Sequence, residues 1–328
     1  MAFFRKLFVT TVVLSVAAGT GFFYWSKQAI ESGPEPIPFA VKAGSGSGAA
    51  AQQIAQAGVE VNPVLFSLLA RLTGKSERIK AGSYEFKPGS TPRQLLDQLV
   101  RGEFAQEALT IIEGWTFRQM RQAVDASKGL KHDTATLSDK ELMAKVSNTF
   151  AAPEGLFFPD TYLFAKGSSD LQIYRHAHAM LLTHLEAAWA KRDASLPYAT
   201  PYQALIMASI VEKETGQKSE RAMIAGVFVN RLKRGMLLQT DPTVIYGMGA
   251  KYDGKIHKRD LETDTPYNTY TRAGLPPTPI ALPGVQSLAA ALGPAKTDAL
   301  YFVSRGDGTS KFSASLPEHN RAVNQFQR

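Results

Sequence analysis

Residues Leu7–Ser26, LFVTTVVLSVAAGTGFFYWS, carry no charged side chain. Backbone amides in hydrocarbon must be satisfied within their own segment, so a run of this kind crosses a bilayer only as a helix. At about 1.5 Å rise per residue it spans a hydrocarbon layer of roughly 30 Å. Two fates compete. Ala17, Ala18 and Gly19 are small enough for signal cleavage. The apolar run continues past them through Phe22, Phe23, Tyr24 and Trp25, longer than a signal core and ending in aromatics typical of a membrane interface. This favours an uncleaved transmembrane helix over residues 7–26. Arg5 and Lys6, in a tail of residues 1–6, argue that the tail stays cytoplasmic and the body lies across the membrane.

The remaining chain has enough apolar material for a core, since 44% of the 328 residues are hydrophobic, and this excludes a disordered protein. A formal charge of +8 would suit an anionic surface, a polyanionic substrate or nucleic acid. No run of Lys and Arg with interleaved aromatics occurs, so the charge reads as scattered and solvated, and nucleic acid is set aside. Cysteine is absent, which removes disulfides, thiolate nucleophiles and zinc–thiolate sites and makes the chain indifferent to an oxidising compartment.

Residues 27–38, KQAIESGPEPIP, are Pro-rich and read as a short stiff linker. A strand at PFAVK then leads through the turn GSGSG to a helix over about Ala49–Ala57. GSGSG lacks the Lys-Ser/Thr of a phosphate-binding loop and reads as a flexible turn. Asn62 as cap and Pro63 as first helical residue begin a helix to about Leu72. GSYEFK returns as a strand pairing with the first. Thr91 caps a further helix that Gly102 stops. These elements make a small β-α-α-β unit over residues 39–103, ahead of a larger α+β domain over residues 104–328, so the fold class is α+β. In the larger domain ALTIIE reads as a strand and Leu171–Arg192 as a helix. The aromatic turns Glu113–Trp115 and Leu156–Phe164 are core pieces by default and sugar-stacking surfaces by alternative.

The stretch MASIVEKETG, Met207–Gly216, ends an apolar run with two glutamates. Thr200, Pro201 and Gln203 form a capping box, starting a helix that runs to Gly216. On a wheel of about 100° per residue, Ile206, Met207, Ile210 and Val211 form one apolar stripe with Glu214 near its centre, while Glu212 points the other way. Desolvation and the negative end of the helix dipole both raise the pKa of a carboxyl placed as Glu214 is, which suits a general acid near neutrality. The competing reading is a solvated Glu214, or one paired to Arg221 or Arg231. A second helix starts near Ser219, carries Asn230 and Arg231, and ends at Gly235. After it, LLQTDPTVIYG and DTPYNTYTRAGLPPTPIALPG read as polar loops rich in Tyr, Asn and Thr, suited to holding a sugar.

ASIVEKET, VFVNRL, LQTDPTVIYG, YNTY and GLPPTPI, in this order and spacing, resemble the YceG-like family of endolytic murein transglycosylases, also called MltG. The resemblance covers nearly the whole chain, including the single membrane span, and makes the small unit LysM-like. It implies a bacterial inner-membrane protein, single-pass, with its catalytic domain in the periplasm. It further implies peptidoglycan glycan strands as substrate, cleavage between N-acetylmuramic acid and N-acetylglucosamine to leave 1,6-anhydro ends, and action beside the peptidoglycan synthases. The second glutamate of E-K-E-T, here Glu214, is the catalytic residue in that family. Asn230, Gln239, Thr240, Asp241, Tyr267 and Asn268 are assigned to positioning the sugar, each with a turn-forming role as the alternative; Asp241 would hold its own turn by a local bond. No His-Glu-x-x-His and no Gly-x-Ser-x-Gly occurs, and His176 with His178 offers no shared helical face, so no metal and no organic cofactor are expected. Two other readings stay open: a true hydrolase pairing Asp241 with Glu214, and a non-catalytic wall-binding scaffold.

Overall fold

The computed structural model describes residues 2–214 and 217–327, so the expected helix end at Gly216 lies outside the described residues. The chain divides into two compact units, residues 1–107 with 163–168, and residues 108–162 with 169–328.

The first unit begins with α1 (Ala2–Lys27), whose stretch Phe4–Lys27 is long and apolar enough to cross a membrane. Phe4, Leu7, Phe8, Val13, Leu14 and Val16 are exposed on it. The expected aromatic belt divides in two: Phe23 and Tyr24 are exposed, whereas Phe22 and Trp25 pack against the core of this unit. The linker over residues 27–38 is likewise no free tether. Ile30 is buried in the same core, and its amide donates to the Ser90 carbonyl at 2.9 Å. An apolar residue with a satisfied amide gains more by docking than by remaining in solvent.

From there β1 (Ile37–Val41), α2 (Ser47–Gln56), α3 (Pro63–Leu72), β2 (Gly82–Phe86) and α4 (Pro92–Arg101) follow. β1 and β2 pair antiparallel, with Phe39 opposite Tyr84 and Ile37 opposite Phe86. Strand alternation puts Phe39, Val41, Tyr84 and Phe86 on one buried face, which α2, α3 and α4 cover with Ile54, Phe66, Leu95, Leu96 and Leu99. The helix ends have local causes. The Asn62 side chain accepts from the amides of Val64 and Leu65, Thr91 and Gln94 complete a capping box, and Gly102 closes α4 in the left-handed conformation.

β3 (Gln106–Thr110) pairs with β4 (Thr161–Ala165); between them lie α5 (Phe117–Ala126) and α6 (Asp139–Val146), each started by a full capping box. In the second unit α7 (Asp170–Ala190), α8 (Pro201–Glu214) and α9 (Arg221–Lys233) are followed by α10 (Asp241–Met248) and α11 (Lys258–Glu262). α10 corrects the loop reading of LLQTDPTVIYG: Thr240 is the extended cap residue and Pro242 sits in the first turn, where its missing amide hydrogen costs nothing. α12 (Val285–Leu292) packs against α8 and α9, and the β5 (Tyr301–Ser304) and β6 (Ser310–Ser313) hairpin with α13 (Leu316–Phe326) ends the chain.

Candidate active site

α8 starts as a modified box. The Gln203 amide donates to Thr200 Oγ1, but the Gln203 side chain accepts from the Ala199 amide rather than that of Thr200. From Ala204 to Val211 every residue is buried, so the helix has no single apolar stripe. The wheel therefore does not separate its two glutamates. Glu212 is no outward-facing residue: its side chain is 5% exposed, paired at 2.9 Å with Arg221, itself 7% exposed. Its second oxygen accepts from the Gly284 amide at 2.9 Å. This is a structural clamp between α8, the start of α9 and the turn before α12.

Glu214 has a different environment. Its Oε2 accepts the Thr240 hydroxyl at 3.0 Å, and among the described residues no cation lies within ion-pair distance. Burial, with a smaller contribution from the Asp241 charge, lifts its pKa from 4.5 to about 7, against the opposing pull of the Thr240 bond and of Arg231. Arg231 is held elsewhere: Nε donates to the Leu300 carbonyl and Nη1 to the Leu238 carbonyl, both at 2.7 Å. Thr240 is oriented by a buried threonine cluster, in which its amide donates to Thr269 Oγ1 and its carbonyl accepts from Thr243 Oγ1. The residue before it, Gln239, has φ of 49°, a left-handed conformation that non-glycine residues adopt at a cost of about 1 kcal/mol or more. Its amide is anchored on the Thr269 carbonyl.

Glu214 opens into a cavity of about 420 Å³ whose other walls include Ile224, Phe302, Ser304, Thr309 and Ser310. Three hydroxyls and one aromatic ring sharing a cavity with this carboxyl suit a polyol with apolar faces. The hairpin is set there by Glu220, which accepts both the amide and the hydroxyl of Ser310 at 2.7 Å. Sequence reading passed over this hairpin, although FVSRGDGTSKF carries a legible strand–turn–strand pattern. The larger cavity of about 920 Å³ belongs to the first unit and contains none of these residues.

The other assigned residues scatter. Asp241 lies on the first turn of α10, exposed, and accepts the Tyr270 hydroxyl, so its bond reaches across 29 residues and is not the local one expected. Asn230 spends its amide hydrogens on the carbonyls of Thr297 and Ala299. Asn268 is buried, donating to the Leu261 and Thr263 carbonyls and accepting from the Tyr270 amide. Both act here as formers of backbone structure. Tyr267 stacks edge-on with Tyr246 and shares a hydrogen bond with Thr278. A residue not singled out from sequence, Glu154, is buried and receives the Phe117 amide at 3.0 Å and the Tyr246 hydroxyl at 3.1 Å. Asp125, His132 and Asp170 bring three ligand-type atoms within 4.8 Å of one another, outside the Glu214 cavity.

Comparison with known proteins sets this geometry in a family. The YceG-like family matches residues 39–325. A Bacillus subtilis protein named endolytic murein transglycosylase is 34% identical over 75% of this chain and 73% of its own length. A protein of the same name from Streptococcus pneumoniae is 29% identical over 82% of this chain, which spans 54% of that relative's length. A crystal structure of a YceG-like protein from Listeria monocytogenes aligns with a TM-score of 0.56 at 32% identity, covering 88% of this chain and 99% of that one. The chain belongs to the YceG-like family.

Proposed function

We propose that the chain is a membrane-anchored endolytic transglycosylase of peptidoglycan, with α1 as its anchor and the second unit acting on glycan strands outside the cytoplasm. The observation that carries this is the Glu214 carboxyl, lifted to about 7 and directed by Thr240 at the wall of a hydroxyl-lined cavity. The names of its relatives support the substrate class.

The chemistry needs one group to act twice. Protonated Glu214 gives its proton to the glycosidic oxygen as the C1–O bond breaks and an oxocarbenium-like centre forms. The carboxylate left behind takes the proton of the muramyl 6-hydroxyl as that oxygen closes on C1, restoring the acid and leaving a 1,6-anhydro end. A pKa near 7 favours both transfers, because neither protonation state is far out of reach. Hydrolysis would need a second carboxyl to activate water or attack the sugar. Asp241 is the nearest candidate on its charge effect, but it is engaged with Tyr270. Thr240 positions the acid, and Ser304, Thr309 and Ser310 are assigned to the sugar. Cutting within nascent strands would terminate their elongation beside the synthases, and Arg5 and Lys6 would hold the N-terminus in the cytoplasm.

The test is to incubate the chain with uncrosslinked glycan strands and weigh the products. Anhydro ends that vanish in Glu214→Gln are the expected result. Products heavier by one water would establish a hydrolase, and intact strands would overturn the enzymatic reading.

A further inference from the structure

Glu154 is buried, carries a carboxyl, and takes no part in the chemistry above. It does not line the Glu214 cavity. One oxygen accepts from Phe117, the first residue of α5, where free amides and the helix dipole favour an acceptor. The other accepts the hydroxyl of Tyr246, on the last turns of α10. Burial pushes its pKa up to about 7 despite both bonds, so the group is held at a cost. Its own backbone is fixed closely. At Gly155, whose φ is +75°, an added Cβ would lie 2.3 Å from Pro279.

The far end of α10 carries the link to Glu214. Tyr246 stands six residues after Thr240, about 9 Å along a helix, so the two ends of one short rigid rod meet Glu214 and Glu154. Tyr246 is further seated on Tyr267, with ring centroids 4.9 Å apart, and Gly247 lies so close to Tyr267 that an added Cβ would be 3.0 Å from that residue's Cβ. A rod pinned at both ends keeps its hydroxyl aimed. Freed at one end, it need tilt by only a fraction of an ångström at Thr240 to lengthen the 3.0 Å bond to Glu214.

We propose that Glu154 is a positioning residue for the Glu214 chemistry, acting through Tyr246 and α10 to hold the Thr240 hydroxyl on the acid. This rests on the transglycosylase reading for its kinetic consequence but not for its geometry. Around Glu214 the charges to account for are Asp241 and Arg231; around Glu154 they are the Tyr246 hydroxyl and the Asp139 charge.

The test uses the full chain in detergent with Tyr246→Phe, which removes one hydroxyl and keeps the ring, beside Glu154→Ala, Glu154→Gln and Thr240→Ala. Two readouts are taken: kcat and KM on uncrosslinked glycan strands, and the titration midpoint of the Glu214 carboxyl by ¹³C NMR, assigned by its loss in Glu214→Gln. Tyr246→Phe is expected to lower kcat about tenfold with KM within about twofold, and to raise the Glu214 midpoint because the Thr240 bond that lowers it is weakened. Glu154→Gln, which can still accept from Phe117 and donate to Tyr246, restores most of what Glu154→Ala loses. In the Thr240→Ala background Tyr246→Phe adds nothing further. A purely structural Glu154 predicts instead a lower Tm with kcat per folded molecule and the Glu214 midpoint unchanged, or losses that multiply with Thr240→Ala; either result overturns the assignment. If the wild type releases no anhydro ends, the transglycosylase reading falls, and the Glu214 midpoint in Tyr246→Phe still decides whether Glu154 acts on Glu214.

Discussion

Replacing Glu214 by Gln removes the acid and, above neutral pH, is expected to make the protein more stable. The unfolded chain releases this proton near 4.5, while the folded chain keeps it to about 7. Folding therefore takes up a proton between those values, so stability is full below 4.5, falls as pH rises through the window, and stays lower above 7. The rise from 4.5 to about 7, at about 1.4 kcal/mol per pH unit, would amount to about 3.5 kcal/mol for a fully desolvated group. Glu214 is only partly buried and borders an open cavity, where water shares the charge; roughly 1 to 2 kcal/mol is the expected gain for the neutral Gln at pH 9. Glu154, also lifted to about 7, is present in both proteins and cancels from the comparison. Urea unfolding of wild type and Glu214→Gln at pH 4, 6 and 9 measures the gap, which should be near zero at the first, open at the second and be complete at the third. A gap independent of pH, or a wild type more stable than the variant at pH 9, would refute a desolvated acid and remove the basis for its catalytic role.

Three further outcomes follow from neighbouring contacts. Glu212→Gln leaves the Arg221 cation buried with neutral amide acceptors in place of its counter-charge, so stability should fall by about 2 to 3 kcal/mol in urea unfolding, while anhydro release per folded molecule stays within about threefold of wild type. Asp241→Asn removes a charge that raises the Glu214 pKa, so the alkaline limb of kcat/KM should move to lower pH while anhydro ends persist; loss of all product would mean that the Asp241 carboxylate is itself required for the chemistry. Gly155→Ala forces a Cβ against Pro279 in a left-handed backbone conformation and should cost about 3 kcal/mol, read as a lower Tm.

What could be read from sequence was what neighbouring residues decide. Asn62 with Pro63, and Thr91 with Gly102, set helix ends through contacts a few residues long, and they appear in the structure as the spacing predicts. TDPTVIYG was misread because Pro, Thr and Gly weigh toward loop, whereas one turn of cap and a first-turn proline are enough to start a short helix that packing then completes. The cavity wall was out of reach for another reason. FVSRGDGTSKF announces a hairpin, but only the bonds from Ser310 to Glu220, across 90 residues, say which face of the molecule it covers. Glu154 was missed likewise: EGLFFPD reads as core, and nothing local reveals that Tyr246 and Phe117 converge on its carboxyl.

The two glutamates of EKET show where a helical wheel stops being informative. A wheel separates buried from exposed only when a helix has one wet face, and α8 is enclosed on all sides through Val211. Both glutamates follow directly on this enclosed stretch, so the wheel cannot tell them apart. Their partners can. Glu212 meets a guanidinium and a backbone amide, so a counter-charge stands directly against its carboxyl. Glu214 meets a hydroxyl, while the Arg231 guanidinium is turned to the carbonyls of Leu238 and Leu300, so desolvation outweighs the opposing charge and lifts the carboxyl to about 7. An acid is thus made from an ordinary glutamate by withholding a counter-charge, and supplying one should unmake it. A cation introduced across the cavity, as in Thr309→Lys, is expected to draw the Glu214 midpoint down toward its unperturbed value and to shift the pH optimum of anhydro release to lower pH, with Tm at pH 9 unchanged or raised. A lysine variant that keeps the wild-type pH profile while its carboxyl midpoint falls would mean that some other group supplies the proton.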